Sequence, residues 1–479
     1  MGAFAQGGTT IVPELFINLD IYKGLFLIAL GFFGGMLSGF IGSGGAFVLT
    51  PGMMSIGVQG PIAVASNMCH KFPKAMIGAY RRLKLKQVDL KLAGLMAISA
   101  IAGVQVGIQV QKRILETFGP VGTNLYVSIA FIIVLPTVAF ILLRDVSKAK
   151  KYGIEDTEPK FAKKLEEKFR VPPMIRFETA GRTQSLWLTI PTGFGTGFLA
   201  ATIAVGGFIG VPSMIYIIGA SSTVASGTEL GVAFIMGSTG TFTWAYVLGA
   251  IDFRLTALIL ATSLIGVQIG AVGTTYVRQY YIKLAMAIVM ILVTISRALA
   301  IPGYLVKLKM LSLDEGLVSL MNSLVFPIMV FAMVSVTPLV VWPMIRIRRR
   351  LKREGLLDKA IRVSQCDTSG LIKRLVTYGT ITFINYYLLL RDPSWWPKFI
   401  TSIPHQPPLV AIGMSLGVIG LAVYWSLIHG SFAHAFLDLL KITALKDDLA
   451  KKIAKEGYAG IDSWISDITR VPSIGKPIT

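Results

Sequence analysis

Acidic residues, cysteines and histidines are all scarce in this chain. Among its 479 residues there are 25 Asp or Glu, 2 Cys and 4 His. Cys69 lies in an apolar stretch and Cys366 in a charged one, so we expect no disulfide framework. No Cys/His cluster has the spacing of a metal site, and the sequence has no Gly-x-x-x-x-Gly-Lys-Ser/Thr phosphate loop. We therefore expect no metal, no cofactor and no ATP-driven chemistry.

Charged residues of either sign are rare compared with apolar ones. Hydrophobic residues make up 53% of the chain and charged residues 15%, which is typical of a membrane protein. A helix of ~20 residues crosses the ~30 Å hydrocarbon layer. Apolar stretches that approach or exceed this length occupy residues 61–80, 92–110, 123–143, 223–247, 254–277, 280–300, 317–342, 375–390 and 409–428. The first 20 residues lack the pattern of a cleaved signal peptide.

Basic residues exceed acidic ones, and the formal net charge is +21. They concentrate in a few loops between apolar stretches, which is typical of a topology signal and argues against a nucleic-acid partner. Suppose that two glycine-broken segments, 24–59 and 187–219, each return to the side from which they enter. Then 35 of the 46 Lys and Arg lie inside and 8 outside, whereas single crossings give about 22 against 21. The positive-inside rule thus predicts returning hairpins, an external N-terminus and a cytoplasmic C-terminus in the plasma (inner) membrane.

A set of landmarks occurs twice, about 163 residues apart. The first set is Gly44-Gly45 with Pro51, Val64-Ala65-Ser66, Val88-Asp89 and Gly103 to Gly107. The second set is Gly206-Gly207 with Pro212, Val224-Ala225-Ser226, Ile251-Asp252 and Gly266 to Gly270. With the topology above, the first Val-Asp loop is inside and the matching Ile-Asp loop is outside, so the two copies are inverted. Inverted repeats are common in secondary transporters.

These patterns predict an all-α integral membrane protein with two inverted repeats. Each repeat is a glycine-broken helical hairpin followed by three transmembrane helices, and extra transmembrane helices follow toward the C-terminus. Nine full spans and two hairpins are expected. The predicted boundaries are 24–143 for the first repeat, 144–185 for a basic cytoplasmic linker, 186–300 for the second repeat, 301–434 for the additional helices with a basic cytoplasmic loop at 343–374, and 435–479 for a cytoplasmic tail.

The two glycine breaks predict a binding cavity. Unwound backbone at membrane depth is tolerated only where it is buried in protein or lines a cavity, and glycine allows a ligand to approach the backbone. The residues concerned are Ser43, Gly44 and Gly45 in the first copy and Gly206 and Gly207 in the second. A helix that begins at such a break directs its N–H groups at the cavity, which favours an anion. The alternative is close helix packing, for which glycine is also used.

Charged residues inside two spans are the second indication of a site. Asn67, His70 and Lys71 lie in the span 61–80, and Thr228 and Glu229 lie in the matching span of the second copy, where Glu229 is aligned with Lys71. A lysine at the centre of a span costs about 2.5–3.5 kcal/mol on insertion scales, so it is usually paired or functional. Two accounts fit equally well. Lys71 and Glu229 form a structural ion pair, or Lys71 holds an anion while Glu229 or His70 exchanges a proton.

These residues resemble the TauE/SafE family of membrane permeases, also called sulfite exporter-like. The resemblance rests on the glycine-rich opening 31–45, Pro51, Ala65-Ser66-Asn67 and the basic loop leading to Val88-Asp89, with a second copy at 193–270. It implies a permease for small sulfur-containing anions such as sulfite or sulfonates.

The resemblance has limits. It covers about residues 24–300, and the role of 301–479 is open. Many family members carry a lysine directly after the asparagine, whereas here Met68 follows Asn67 and the lysine comes at Lys71.

The sequence thus predicts a secondary transporter of a small anion that works by alternating access, with coupling to protons as an option. The predicted substrate-binding residues are Ser43, Gly44, Gly45, Asn67, Lys71, Gly206, Gly207 and Thr228, with His70 and Glu229 for proton coupling. The expected partners are the anion, the lipid bilayer and, as an open option, further copies of the chain. One alternative is an anion channel or membrane sensor. A weaker one is an intramembrane hydrolase that uses Ser43, although we expect no enzyme.

Overall fold

The chain is almost entirely helical over the residues that can be described. The computed structural model describes residues 11–41, 45–84, 86–152, 160–277, 279–335, 337–361, 368–440, 445–456 and 458–470. Within these ranges the strands with a regular partner form one two-stranded antiparallel sheet. The predicted all-α membrane fold is confirmed.

The first part of the chain contains four helices. They are α1 (Ile21–Ile41), α2 (Ala46–Ser55), α3 (Gly60–Lys84) and α4 (Leu90–Tyr152). Helix α4 is bent at Gly119, whose φ of 66° and ψ of −168° are not helical. Its apolar part is 58 residues long, about 87 Å at ~1.5 Å per residue. This length fits two crossings joined at Gly119, matching the predicted spans 92–110 and 123–143.

A small hairpin separates the two parts of the membrane region. Helix α5 (Lys160–Lys168) is followed by strands β1 (Met174–Phe177) and β2 (Arg182–Ser185), which pair in antiparallel register. The sequence predicts a basic cytoplasmic linker for residues 144–185 and does not predict the two strands. The hairpin leads directly into the next membrane helix.

The second part repeats the helix order of the first. Its elements are α6 (Leu186–Ile203), α7 (Gly207–Ser213) with a π-helical turn (Met214–Ile218), α8 (Ser222–Thr243) with a second π-helical turn (Trp244–Leu248), α9 (Phe253–Gly273) and α10 (Gln279–Lys307). The break before α7 begins at Ala204, which adopts a left-handed conformation with φ 61°. Asp252 starts α9 as its N-cap, since its carboxylate accepts from the Arg254 N–H.

Eight further helices complete the described chain. They are α11 (Glu315–Val334), α12 (Thr337–Arg353), α13 (Leu357–Ala360), α14 (Thr368–Arg391), α15 (Trp395–Ser402), α16 (Pro408–Leu439), α17 (Asp447–Glu456) and α18 (Ala459–Arg470). Helices α12, α13, α17 and α18 form a small second core that includes Leu351 and Trp464. This core also takes in Tyr276, just after α9, so the tail packs against the membrane region.

Seven helices in the described part of the chain are long and apolar enough to cross a membrane. They are Ile21–Gly39, Leu90–Ser147, Leu186–Ile203, Phe253–Gly273, Tyr281–Lys307, Glu315–Val334 and Pro408–Leu439. Helices α3, α8 and α14 cover three other predicted spans but carry more polar residues. The protein is therefore a multi-pass integral membrane protein.

Helix α1 packs tightly on α9 because glycines face the contact from both sides. A Cβ at Gly35 would overlap the backbone of Ser263, and a Cβ at Gly266 would overlap the carbonyl of Phe32. Small residues let helix backbones approach closely in membranes, where packing replaces the hydrophobic effect between helices.

Helices α6 and α4 pack in the same way. A Cβ at Gly197 would overlap the carbonyl of Ala100, and one at Gly103 would overlap that of Phe194. Gly197 follows Gly35 by 162 residues and Gly266 follows Gly103 by 163, so the two contacts are equivalent in the two copies. The first helix of each part therefore packs on the fourth helix of the other part, and the two parts are interlocked.

Candidate functional site

The two helix breaks meet in the middle of the interlocked region. Helix α2 begins after Gly45, which lies so close to α1 that a Cβ there would overlap the carbonyl of Gly34. Helix α7 begins after Gly206. The rings of Phe47 and Phe208, each in the first turn of its helix, are 4.8 Å apart and edge to face. The predicted residues Ser43 and Gly44 lie outside the described residues.

Asn67 on α3 faces the beginning of α2. Its Nδ2 donates to the carbonyl of Ala46 at 3.2 Å and to the Thr50 hydroxyl at 2.8 Å. The residue is 1% exposed, and its Oδ1 has no hydrogen-bond partner among the described residues. Asn67 thus connects α3 with the helix that follows the first break and keeps one polar atom available.

His70 lies one turn further along α3 and contacts α9. Its Nε2 shares a hydrogen bond of 2.7 Å with the Ser263 hydroxyl, and its Nδ1 has no partner in the described part of the chain. Gly35 of α1 packs directly against the backbone of the same Ser263. His70 is therefore held by the α1–α9 contact, and one ring nitrogen remains free for a ligand or a proton.

Lys71 and Glu229 are both present at this site but do not pair. Lys71 Nζ and both carboxylate oxygens of Glu229 are buried, and none of these atoms has a hydrogen-bond partner in the ranges described. No ion pair within 4.0 Å joins them there, although each lies within electrostatic range of the other. Of the two accounts that the sequence left open, a direct structural ion pair does not match this geometry.

Glu229 on α8 lies against α7. A Cβ at Gly210 would overlap its Oε2, so the absence of a side chain at Gly210 makes room for the carboxylate. Asn67 has the same relation to α2 in the first part. By its contacts, Glu229 corresponds to Asn67 and not to Lys71, with which it was aligned from the sequence. Asn67 and Glu229 are 162 residues apart, which is also the spacing of the two glycine breaks.

Two hydrogen bonds connect the parts next to these residues. The Asp252 N–H donates to the Ser66 hydroxyl at 2.8 Å, and the Asp89 N–H donates to the Thr228 hydroxyl at 3.0 Å. All four residues are buried. Thr228 was predicted to bind substrate, and in the structure its hydroxyl oxygen accepts this backbone bond.

The two aspartates differ in what holds their carboxylates. Asp89 Oδ1 accepts from the Leu92 N–H, and its Oδ2 accepts from the Thr179 and Ala180 N–H groups of the hairpin between β1 and β2. Asp252 instead forms a buried ion pair of 2.8 Å with Arg254. The loop before α4 is thus fixed by the linker, and the loop before α9 by its own arginine.

The structure brings together most of the predicted site and adds three residues. Asn67, His70 and Lys71 on α3 approach the start of α2, α9 and α8, while Gly206 and Gly207 lie at the second break beside Phe208. Thr50, Ser66 and Ser263 were not assigned a role from the sequence. Ser66 was recognised only as a landmark, whereas Thr50 and Ser263 are ordinary polar residues within apolar runs and give no local signal.

The fold and the site define a multi-pass membrane protein with cationic, acidic and amide groups buried between interlocked helix hairpins. The family described as sulfite exporter TauE/SafE matches residues 27–297, more than half of the chain. The chain belongs to this family. The match ends within α10, so α11 to α18 lie outside it.

One curated relative agrees with this assignment. The chain is similar to the "Probable membrane transporter protein YjnA" of Bacillus subtilis (strain 168), with 25% identity over 258 residues. The aligned region is 51% of this chain and 88% of the relative. No solved structure matches the chain significantly.

Proposed function

We propose that the protein is a secondary transporter of a small sulfur-containing or related organic anion, such as sulfite or a sulfonate. Membership of the TauE/SafE family and the transporter relative support the general class. The substrate class rests on the chemistry of the site together with the family description. In this proposal the anion binds beside Lys71, between α3 and the helix that follows the first break.

The single observation that carries the proposal is the unpaired Lys71. Its ammonium lies inside the membrane region with no hydrogen-bond acceptor among the described residues. A buried cation without a partner is costly, and such residues in membrane spans usually serve a ligand or an ion path. A transported anion would supply the missing charge, and the side-chain amide of Asn67 fixes the adjoining start of α2.

We further propose that Glu229 carries a proton during transport. Its carboxylate is buried and unpaired within the described ranges and lies against α7. Carboxyl groups inside membrane spans commonly serve as proton carriers in transporters, so protonation and anion binding can be linked through the nearby charge of Lys71. The two groups are close enough to interact and too far apart to neutralise each other directly.

Alternating access between inverted halves is the third element of the proposal. It is supported by the matched contacts of α1 with α9 and of α6 with α4, and by the paired hydrogen bonds from Asp252 to Ser66 and from Asp89 to Thr228. In this proposal, each of the two hydrogen bonds closes the site toward one side of the membrane. Breaking them in turn would expose the site to one side at a time.

Uptake of labelled sulfite and methanesulfonate into liposomes, with and without a pH gradient, tests the proposal. We expect Lys71→Ala to lower uptake at least about tenfold, which corresponds to about 1.4 kcal/mol of lost interaction. Lys91→Ala is the matched control, because that lysine is exposed and pairs only with Glu178 among the described residues.

Glu229→Gln separates coupling from binding. We expect this variant to bind the anion but to lose the response of uptake to the pH gradient. Normal sulfite and methanesulfonate flux in Lys71→Ala would refute the proposed binding site. If the wild-type flux depends on Lys71 but is the same with and without the pH gradient, the protein would instead be a passive channel.

A further inference from the structure

Two arginines are completely buried in the described chain, and they differ in their surroundings. Arg254 is 2% exposed and Arg297 is 1% exposed. Arg254 bonds to the Asp252 carboxylate and donates to the carbonyls of Pro393 at 2.7 Å and Ile17 at 3.2 Å. Its charge and its donors are satisfied, as expected for a structural arginine.

Arg297 lacks comparable partners. One terminal nitrogen donates to the Ser296 hydroxyl over a long 3.5 Å, and its Nε has no partner within the described chain. No carboxylate lies within 4.0 Å of it in those residues. The Tyr304 hydroxyl, two turns further along the helix, is its other hydrogen-bond partner. The guanidinium thus has two neutral neighbours and no counter-charge.

The position of Arg297 makes this arrangement unfavourable without a ligand. It lies ten residues before the end of α10 at Lys307, about 15 Å along the helix at ~1.5 Å per residue, and within the apolar stretch Tyr281–Lys307. The neighbouring Ser296 hydroxyl donates to the carbonyl of Val325 on α11 at 2.9 Å, which fixes the α10–α11 contact around it. A buried, uncompensated charge destabilises a protein strongly.

The side chain also has the right chemistry for an oxyanion. A guanidinium presents two parallel N–H donors that match two oxygens of a sulfonate, sulfite or carboxylate group. Helix α10 contacts α2 as well as α11, and α2 is the helix that begins at the first break. Arg297 thus lies on a helix that contacts α2, the helix to which Asn67 is hydrogen-bonded.

We propose that Arg297, with the hydroxyls of Ser296 and Tyr304 as its neighbours, is a second anion-binding residue on the transport path. The ligand is a small oxyanion that accepts two hydrogen bonds from the guanidinium. This inference rests on the proposed function, since the anion is the one that is transported. Arg297 serves binding at the expense of the stability of the empty protein, whereas Arg254 serves stability alone.

Melting temperatures of the purified full chain in detergent test this difference. Four proteins are compared: wild type, Arg297→Met, Arg297→Lys and Arg254→Met. Each is measured alone, with sodium sulfite, with sodium methanesulfonate and with sodium chloride at matched ionic strength. Without added anion we expect Arg297→Met to melt at or above the wild-type temperature, because a buried uncompensated charge is replaced by an apolar side chain of similar length. We expect Arg254→Met to melt lower.

The response to anions supplies the second measurement. We expect sulfite or methanesulfonate to raise the wild-type melting temperature more than chloride does, and this rise to disappear in Arg297→Met. Arg297→Lys keeps the positive charge but lacks the two parallel N–H donors, so it should retain only part of the rise in melting temperature. Arg254→Met should keep the full rise from its lower starting point.

The outcomes separate failure of this inference from failure of the proposed function. A clear loss of stability in Arg297→Met without anion, or an undiminished anion response in that variant, would overturn the binding role of Arg297. If neither sulfite nor methanesulfonate stabilises the wild type, the proposed substrate class is wrong. In that case the anion-free comparison of Arg297→Met with Arg254→Met still decides whether Arg297 is a structural residue.

Discussion

At the scale of single residues, buried polar groups of this protein fall into two kinds. Ser66 and Thr228 each accept a backbone N–H from the other part of the chain and are satisfied. Lys71 and Glu229, a few residues away on the same helices, have no hydrogen-bond partner within the described chain. Satisfied groups hold the two parts together, and the unsatisfied ones are free to meet a ligand.

The bonds to Ser66 and Thr228 predict similar losses when either hydroxyl is removed. We expect Ser66→Ala and Thr228→Val each to destabilise the protein by about 1–3 kcal/mol, because each leaves a buried aspartate N–H without an acceptor. Thermal unfolding in detergent measures the loss. Ser323→Ala is the control, since that exposed hydroxyl bonds to a carbonyl of its own helix. Unchanged stability in both variants would contradict the bridging role.

At the scale of helices, the membrane region is held by close backbone contacts at glycine. Two of the three glycines in helix α6 lie in different surroundings. A Cβ at Gly197 would overlap the backbone of Ala100 on α4, while a Cβ at Gly195 would meet nothing within 4 Å. The helices could not approach as they do if every position in α6 carried a side chain.

Gly195 and Gly197 predict different effects of substitution by alanine. Gly197→Ala should lower the melting temperature markedly, because overpacking typically costs about 1–3 kcal/mol and here the overlap is with rigid backbone. Gly195→Ala should be neutral or stabilising by up to about 1 kcal/mol, since alanine favours the helix. Equal effects of both substitutions would argue against the glycine contact between α6 and α4.

Sequence reasoning worked best where the signal is local. Apolar runs predicted the membrane helices, and the glycines at 44–45 and 206–207 predicted the positions where α2 and α7 begin, because both signals depend on neighbouring residues. It did not predict the bond from Asp89 to Thr228, whose partners are 139 positions apart. It also aligned Glu229 with Lys71, whereas the contacts make Asn67, four residues earlier and at the 162-residue spacing of the glycine breaks, its counterpart.

At the scale of the whole molecule, the loops before α4 and α9 are fixed by different segments. The loop at Asp89 is bonded to the β1–β2 hairpin, and the loop at Asp252 is bonded through Arg254 to Pro393 before α15. The proposed inverted topology places these two loops on opposite sides of the membrane.

Single cysteines in a cysteine-free background test this topology. Glu178 in the hairpin and Asp392 after α14 are both exposed. We expect a membrane-impermeant maleimide to label Asp392→Cys in intact cells and Glu178→Cys only after permeabilisation, because the positive-inside rule places the basic hairpin region in the cytoplasm. Labelling of both in intact cells, or of Glu178→Cys alone, would reject the proposed orientation.

The hydrogen bonds of Arg254 bear on how the chain can be shortened. The Arg254 guanidinium joins the segment before α1, the start of α9 and the segment before α15. Trp396 adds a hydrogen bond of 2.7 Å from its indole N–H to the carbonyl of Ile251. A chain truncated at the end of the family match would leave that carbonyl and part of Arg254 without partners in a buried setting. The region after residue 300 is therefore an integral part of the fold, and a minimal version of this protein requires a new hydrogen-bond donor for the Ile251 carbonyl and a substitution at Arg254 as well as a new end point.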